Sequence, residues 1–408
     1  MKIKKIGLMI MTLFFAIHGI SQNNNVVSAA LEYQKYEAEF YGQNFNKAKE
    51  HLIEAKKFID PAMTHESTKM DAKAHYYNVM INFGLLEISG RDESNELEAF
   101  TKNPDSILNV ISSSIEIAGT KRRWKGETDD FFNKKIIQSV SMGEMMFEAK
   151  NFELSFYAFA GAYQVKKIAK LEEERINRMK TNAIIAARNY IDTLEKTGET
   201  ETALEFVSKG LEVIPGSEDL AIAGVNLALA NNDLETAEEF FNVAAEAAPD
   251  NKVLFSNMGS IYLTVADKAY NEFVQMNISD EGYEEKSEEV EYLYAKAETH
   301  LKKALEIDGE YAEAAYNLGV LYLGRADKLR TTASQMDLND QNYNKTMMES
   351  QEMYKKAIEP LEIYIATDPH NVGVLNVLFQ VHRNAGNDDK AMEYRKRAQE
   401  AEAGQGAE

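Results

Sequence analysis

The stretch "AEAAYNLGVLYL", residues 312–323, has an earlier counterpart in "KVLFSNMGSIYL", residues 252–263, which keeps the Asn, the Gly and the Tyr in register sixty residues upstream. Outward from this pair, alanines recur in "TALEF", "TAEEF", "KAETH", "KAIEP" and "KAMEY". They are Ala203, Ala237, Ala297, Ala357 and Ala391, at spacings of 34, 60, 60 and 34 residues. Pro215, Pro249 and Pro369 each lie twelve residues after one of these alanines, and Gly309 takes that place after Ala297. Proline removes a backbone donor and crowds the preceding turn, so helices stop on the same beat. Few alternating β-branched runs and six prolines in 408 residues argue for an all-α chain.

A helix–turn–helix unit of thirty-four residues is the tetratricopeptide period, and the residues resemble that family at its diagnostic positions. Leu318, Gly319 and Tyr322 stand in the opening slots, with Ala315 where a large aromatic often sits. "NNDLETAEEFFNVAAEAAPDN" then carries a turn, Ala237, Phe241, Ala244 and Pro249. Small residues on the second helix let the first approach, while Tyr262, Tyr322, Phe241 and Leu301 fill the groove between neighbouring units. The resemblance implies an all-α fold, a right-handed superhelix of antiparallel helix pairs. Its units are 184–217, 218–251, 252–311, 312–371 and 372–405, following divergent helical repeats over 22–183.

The sixty-residue units contain twenty-six inserted residues between their two helices, and the inserts agree at Ala266, Asp267, Lys268, Gln275, Met276, Asp280 and Tyr283 against Ala326, Asp327, Lys328, Gln335, Met336, Asp340 and Tyr343. Val265, Ala269, Phe273 and Met276 keep helical spacing on one flank, as do Val290, Leu293 and Tyr294 on the other. The inserts therefore lengthen both helices into a duplicated hairpin that projects roughly 15 Å. Pro360 falls inside the second helix of its unit, and a bend is expected near Lys356. Upstream, Met142–Tyr163 fits one unit around Gly143, Ser155 and Ala162, and Glu32–Phe58 fits another around Ala48 and Ala55.

The opening "MKIKK" and the apolar "IGLMIMTLFFAI", with Gly19 and Ser21 before Gln22, read as a cleaved export signal over residues 1–21. No later stretch reaches the roughly 18 apolar residues of a membrane span, and the absence of cysteine excludes disulfides, thiolate metal sites and a lipidated N-terminal Cys. Loss of Lys2, Lys4 and Lys5 with the leader takes the formal charge from −21 to −24, a surface that repels nucleic acid and anionic lipid. Export without disulfides fits a periplasm.

Carboxylates fall in solvated runs such as "EEKSEEVE", and the seven histidines show no metal-binding pairing. His382 takes the slot of Tyr322 and reads as a packed core residue. With no phosphate loop or nucleophile elbow, neither an enzyme nor a cofactor is expected. "NISDEGYEEKSE", Asn277–Glu288, has the outline of a calcium loop, but the copy sixty residues on carries Asn342 and Met348 where Gly282 and Glu288 stand, so a plain hairpin turn is preferred. "KRRWK", Lys121–Lys125, holds the only Trp and reads as cations complementing the end of the helix that closes with "SSSIEIAG", or else as a docking patch for an anionic partner.

In arrays of the family resembled here the partner surface is the concave one lined by first helices. That likeness puts Arg188, Asn189, Asn226, Asn257, Tyr316, Asn317, Asn376 and Arg383 on it, with Ser256 beside Asn257. Asn amides both donate to and accept from a peptide backbone, whereas Ser256 and Tyr316 stand where a carboxylate clamp would need lysines. The layout is similar to exported tetratricopeptide proteins of Gram-negative envelopes. It implies a periplasmic scaffold for an envelope protein or peptide, through these residues or the long hairpins. The alternative is a self-associating structural component, a homo-oligomer, in which Met347, Met348, Met353 and Phe273 form the contact.

Overall fold

The computed structural model describes residues 23–89, 96–98, 102, 104–169 and 172–405, so the expected leader lies outside it. Contacts divide the chain into two compact units, 1–215 and 216–408. The first holds α1 (23–41), α2 (Phe45–Thr64), α3 (Ala72–Ser89), α4 (Pro104–Ala118), α5 (Arg122–Glu148), α6 (Phe152–Ile168), α7 (Glu173–Thr197) and α8 (Thr200–Val213). The second holds α9 (Glu218–Ala230), α10 (Leu234–Ala247), α11 (Lys252–Phe273), α12 (Tyr283–Ile307), α13 (Ala312–Ser334), α14 (Gln341–Thr367), α15 (Val372–Asn384) and α16 (Asp388–Gln405). Each unit is all-α, and within it helices pack mainly on their neighbours in sequence. No described helix is long and apolar enough to cross a membrane.

One turn geometry recurs in both units. Gln43, Lys150, Gly198, Asn232 and Gly386 are left-handed, with φ of 61°, 58°, 80°, 57° and 82°. After each, the next amide reaches back five residues: Asn44 to Glu39 O, Asn151 to Met146 O, Glu199 to Leu194 O, Asp233 to Ala228 O and Asn387 to His382 O, at 2.8–2.9 Å. This 6→1 bond answers one of the orphan carbonyls at a helix end and turns the chain back. Five residues after the left-handed position come Ala48, Ser155, Ala203, Ala237 and Ala391, all at most 2% exposed. A fixed turn followed by a small residue on the fourth position of the returning helix is what makes each pair close.

Glycines on the first helices serve the same end. A Cβ on Gly143 would lie 2.8 Å from Phe159, on Gly224 2.5 Å from Phe240, on Gly259 2.6 Å from Leu301, and on Gly319 2.7 Å from Leu361. Ser155 also donates to the Gly143 carbonyl at 2.8 Å. In the first unit the core is closed by Tyr33, Tyr36, Leu52, Ile81, Ile111 and Phe132. Between α3 and α4, Asn78 donates to Ser114 (2.9 Å), His75 bonds the same hydroxyl (3.1 Å) and the Lys69 carbonyl (2.8 Å), and Asn82 donates to Asn78 (2.8 Å). The network satisfies buried polar groups against one another and pins that pair in register.

The insert does lengthen both helices: α11 to α14 run 22, 25, 23 and 27 residues, against 13 and 14 for α9 and α10. Helix α14 passes unbroken through Pro360, which is buried. In the turn after α11, Asp280 accepts from the Asn277 backbone at 2.7 Å, left-handed Gly282 precedes α12, and Glu288 already lies on that helix. This is hairpin-turn chemistry, and no cluster of three metal-ligating side chains occurs among the described residues. Helix α7 begins eleven residues before Ile184, so the charged "EERINRMK" and the following repeat helix are one element.

"KRRWK" corrects an expectation. Helix α4 ends at Ala118, and Lys121 caps α5, whose first turn is Arg122–Lys125. The cations therefore stand at a helix N-terminus, where the dipole opposes them. Packing and local pairing hold them instead. Trp124 packs at a tilt on Tyr76 (5.2 Å) and Tyr77 (6.3 Å), Arg123 lies over its ring (4.7 Å), and Lys125 pairs with Asp129 (2.7 Å).

Candidate partner-binding surface

In the second unit Asn257 on α11 and Asn317 on α13 occupy the same register, the first exposed and the second half-buried. Asn226 on α9 and Asn376 and Arg383 on α15 are exposed as well. Ser256 is not available to a partner: it is fully buried, with no hydrogen-bond partner for its hydroxyl. Tyr316, 39% exposed, packs on Tyr364 of α14 with ring centroids 4.9 Å apart. Together they open a cleft of about 240 Å³ whose walls are Val320 and Leu323 of α13, Leu361 of α14, and Val374 and Val377 of α15. Asn371 at its rim is committed to capping α15, accepting from the Val374 amide at 3.1 Å.

The first unit holds Arg188 and Asn189 on α7. Asn189 donates to the Ile185 carbonyl at 2.8 Å, so its amide is turned along its own helix. Ile185, 45% exposed, lines a cleft of about 310 Å³ with Phe147 and Glu144 of α5, Phe159 of α6 and Asn182. Both clefts have one construction. A glycine on the first helix, Gly143 or Gly319, admits a large residue of the second, Phe159 or Leu361, and the following first helix supplies the third wall. A peptide side chain fits such a site, apolar inside with polar groups at the edge.

Of the expected residues, then, Tyr316 lines one of these two clefts, and Arg188 and Asn189 stand one turn beyond Ile185 of the other on α7. The cleft walls Leu361, Tyr364, Phe159 and Phe147 escape sequence reasoning because three helices contribute them. The recurring glycines were their only trace. His382 is a core residue, 4% exposed and stacked on Tyr394 at 5.3 Å. The expected self-association patch is broken: Phe273 is fully buried between its two hairpin helices, packed on Tyr283 (5.0 Å).

No protein-family model matches the sequence, and no curated protein matches it at significant similarity. Solved structures similar to it include a MamA protein (16% identity, TM-score 0.36, covering 54% of this chain and 92% of that one). A MamA fragment, residues 41 to the end, from Desulfovibrio magneticus RS-1 is similar at 15% identity and a TM-score of 0.34 (54% and 96%). YrrB, a TPR protein with an unusual peptide-binding site, is similar at 16% identity and 0.34 (55% and 90%). The similarity reaches about half of the present chain, and at these scores it carries no argument about what the chain does.

Proposed function

We propose that the chain is a non-enzymatic, tetratricopeptide-type scaffold, exported to the periplasm, which holds extended or helical segments of envelope proteins. The observation that supports this reading is the pair of like-built clefts, each apolar within and edged by the polar residues of first helices. Tyr316 and Tyr364 offer a partner side chain an aromatic wall, and Asn257 and Asn317 offer amides to its backbone.

A photoreactive phenylalanine at Tyr316 tests it in living cells. The expected result is a discrete crosslinked protein, absent when Val320→Glu places a charge in the cleft and absent when the probe is moved to exposed Met392, 58% accessible on α16. Equal crosslinking from Met392, or crosslinking indifferent to Val320→Glu, would remove the cleft from the account.

A further inference from the structure

The two long hairpins stack through a seat that recurs, open, one repeat further on. On the first hairpin the outer part of α13, residues 325–335, covers one face. Arg325 pairs with Glu291 (2.6 Å) and with Glu298. Tyr283 donates to Thr332 (3.3 Å), and Tyr270 meets Thr331 (3.4 Å). Gln335 closes the contact, donating to the Met276 carbonyl (3.0 Å) and accepting from the Ile278 amide (2.7 Å). Being covered shows in burial: Lys328 is 8% exposed and Tyr283 5%, whereas Lys268, at the same register on the uncovered side of the first hairpin, is exposed.

Sixty residues on, the face that receives 325–335 reappears as Arg330, Met336, Leu338, Tyr343, Gln351 and Ile358. The next first helix, α15, ends at Asn384, the equivalent of Gly324, where α13 continues for ten residues more. Beyond Asn384 lies a cleft of about 450 Å³ between Arg330 and Met347, Met348, Gln351 and Tyr354. It is the place of the missing helix extension. Met348 in its lining is 68% exposed, and Leu338, which takes the place of Ile278 in the filled seat, is 75% exposed.

The chemistry of the open seat differs from that of the filled one. Ser287, Glu288, Glu291 and Glu298 become Met347, Met348, Gln351 and Ile358, so the acids that hold Arg325 are gone and adaptable apolar side chains replace them. Arg330 stands where Tyr270 stood and touches Asp327 loosely, at 3.9 Å. A second copy seated in the same way would bring the start of its own long first helix, residues 252–264 or 312–324, to the place that α15 holds, which disfavours it as the occupant.

We propose that this face receives an amphipathic α-helix of a partner protein, about three turns long, seated as residues 325–335 are seated on the first hairpin. Its apolar stripe covers Met347 and Met348, a neutral residue meets Gln351, and an acidic residue pairs with Arg330. This specifies one partner surface of the scaffold proposed above and rests on that reading.

The probe is a helix-constrained peptide of residues 325–335 carrying Arg325→Val and Thr331→Glu, added to the mature chain and followed by fluorescence anisotropy. It is expected to bind about tenfold more tightly than the unaltered peptide, and Met348→Glu in the protein is expected to weaken it about tenfold, as loss of one packed anchor does. Gln351→Glu should restore binding of the unaltered, Arg-bearing peptide. Absence of binding by both peptides, or binding indifferent to Met348→Glu, overturns the proposal. A concentration-dependent dimer lost in Met348→Glu would also overturn it, by putting a second copy in the seat. Crosslinking through Tyr316 in the Met348→Glu chain reports separately on the scaffold reading.

Discussion

Gly319 and Gly161 are both helical glycines, and their surroundings give them opposite roles. A methyl group on Gly319 would meet the branch point of Leu361 at 2.7 Å, a buried atom that moves only with its helix. Gly319→Ala is therefore expected to cost about 1–3 kcal/mol through overpacking. Nothing lies within 4 Å of a methyl group on Gly161, so Gly161→Ala is expected to stabilise by about 0.5–1 kcal/mol through lost chain entropy. Urea midpoints moving in the same direction for both would refute the packing described. His300 is a different residue-scale case. It stacks on Tyr262 (5.6 Å) and meets Phe241 edge-on (4.7 Å), with Nε2 buried and unpartnered. Burial lowers its pKa from 6.5 to about 4, with Glu238 opposing and Lys296 reinforcing the shift. The unfolded chain thus takes the proton first. The contribution of neutral His300 is complete above about pH 6.5 and is lost as pH falls through about 4, roughly 3 kcal/mol in all. His300→Phe keeps the ring contacts and removes the titration, so its stability should vary less between those pH values. Identical acid sensitivity of parent and variant would contradict the assignment.

At the scale of elements, what was legible in the sequence is what repeats. Ala203, Ala237 and Ala391 mark the returning helices because each follows a left-handed turn at Gly198, Asn232 or Gly386, and the same logic reaches Ala48 and Ser155 behind Gln43 and Lys150, residues that do not advertise a turn. Hairpin lengthening was readable because α11 and α13 keep helical spacing through their inserts. The helix at "KRRWK" was misplaced because a run of cations suggests a C-terminal end, whereas Trp124 packing on Tyr76 and Tyr77 decides its position. The clefts were not legible. Each needs one glycine, one large residue on the returning helix and a wall from the next pair, positions separated by loops whose lengths the sequence leaves open. The stacking of the hairpins was also hidden, since Arg325 finds Glu291 and Glu298 only once α13 lies against α12. There Glu298, although burial raises its pKa, is brought down to about 2 by hydrogen bonds from Lys302, Tyr322 and Arg325.

At the scale of the whole molecule the question is where an acidic, cysteine-free array works. The apolar "IGLMIMTLFFAI" behind three lysines precedes the described helices, of which the first is α1, residues 23–41. Val26, Ala29, Tyr33 and Tyr36 of that helix are at most 2% exposed, so a chain beginning at Gln22 keeps every described contact of the core. Cleavage after Ser21 would leave that helix whole. It removes three of the cations and leaves a more acidic surface, suited to remaining dissolved beside an anionic membrane. The expected outcome is a mature protein with Gln22 at its N-terminus, released from cells by osmotic shock. Leu13→Arg together with Phe14→Arg breaks the apolar run that export signals require and should hold the full-length chain in the cytoplasm, still folded because those positions precede α1. Full-length parent protein fixed in the inner membrane would refute the cleavage, since the leader would then be serving as an anchor.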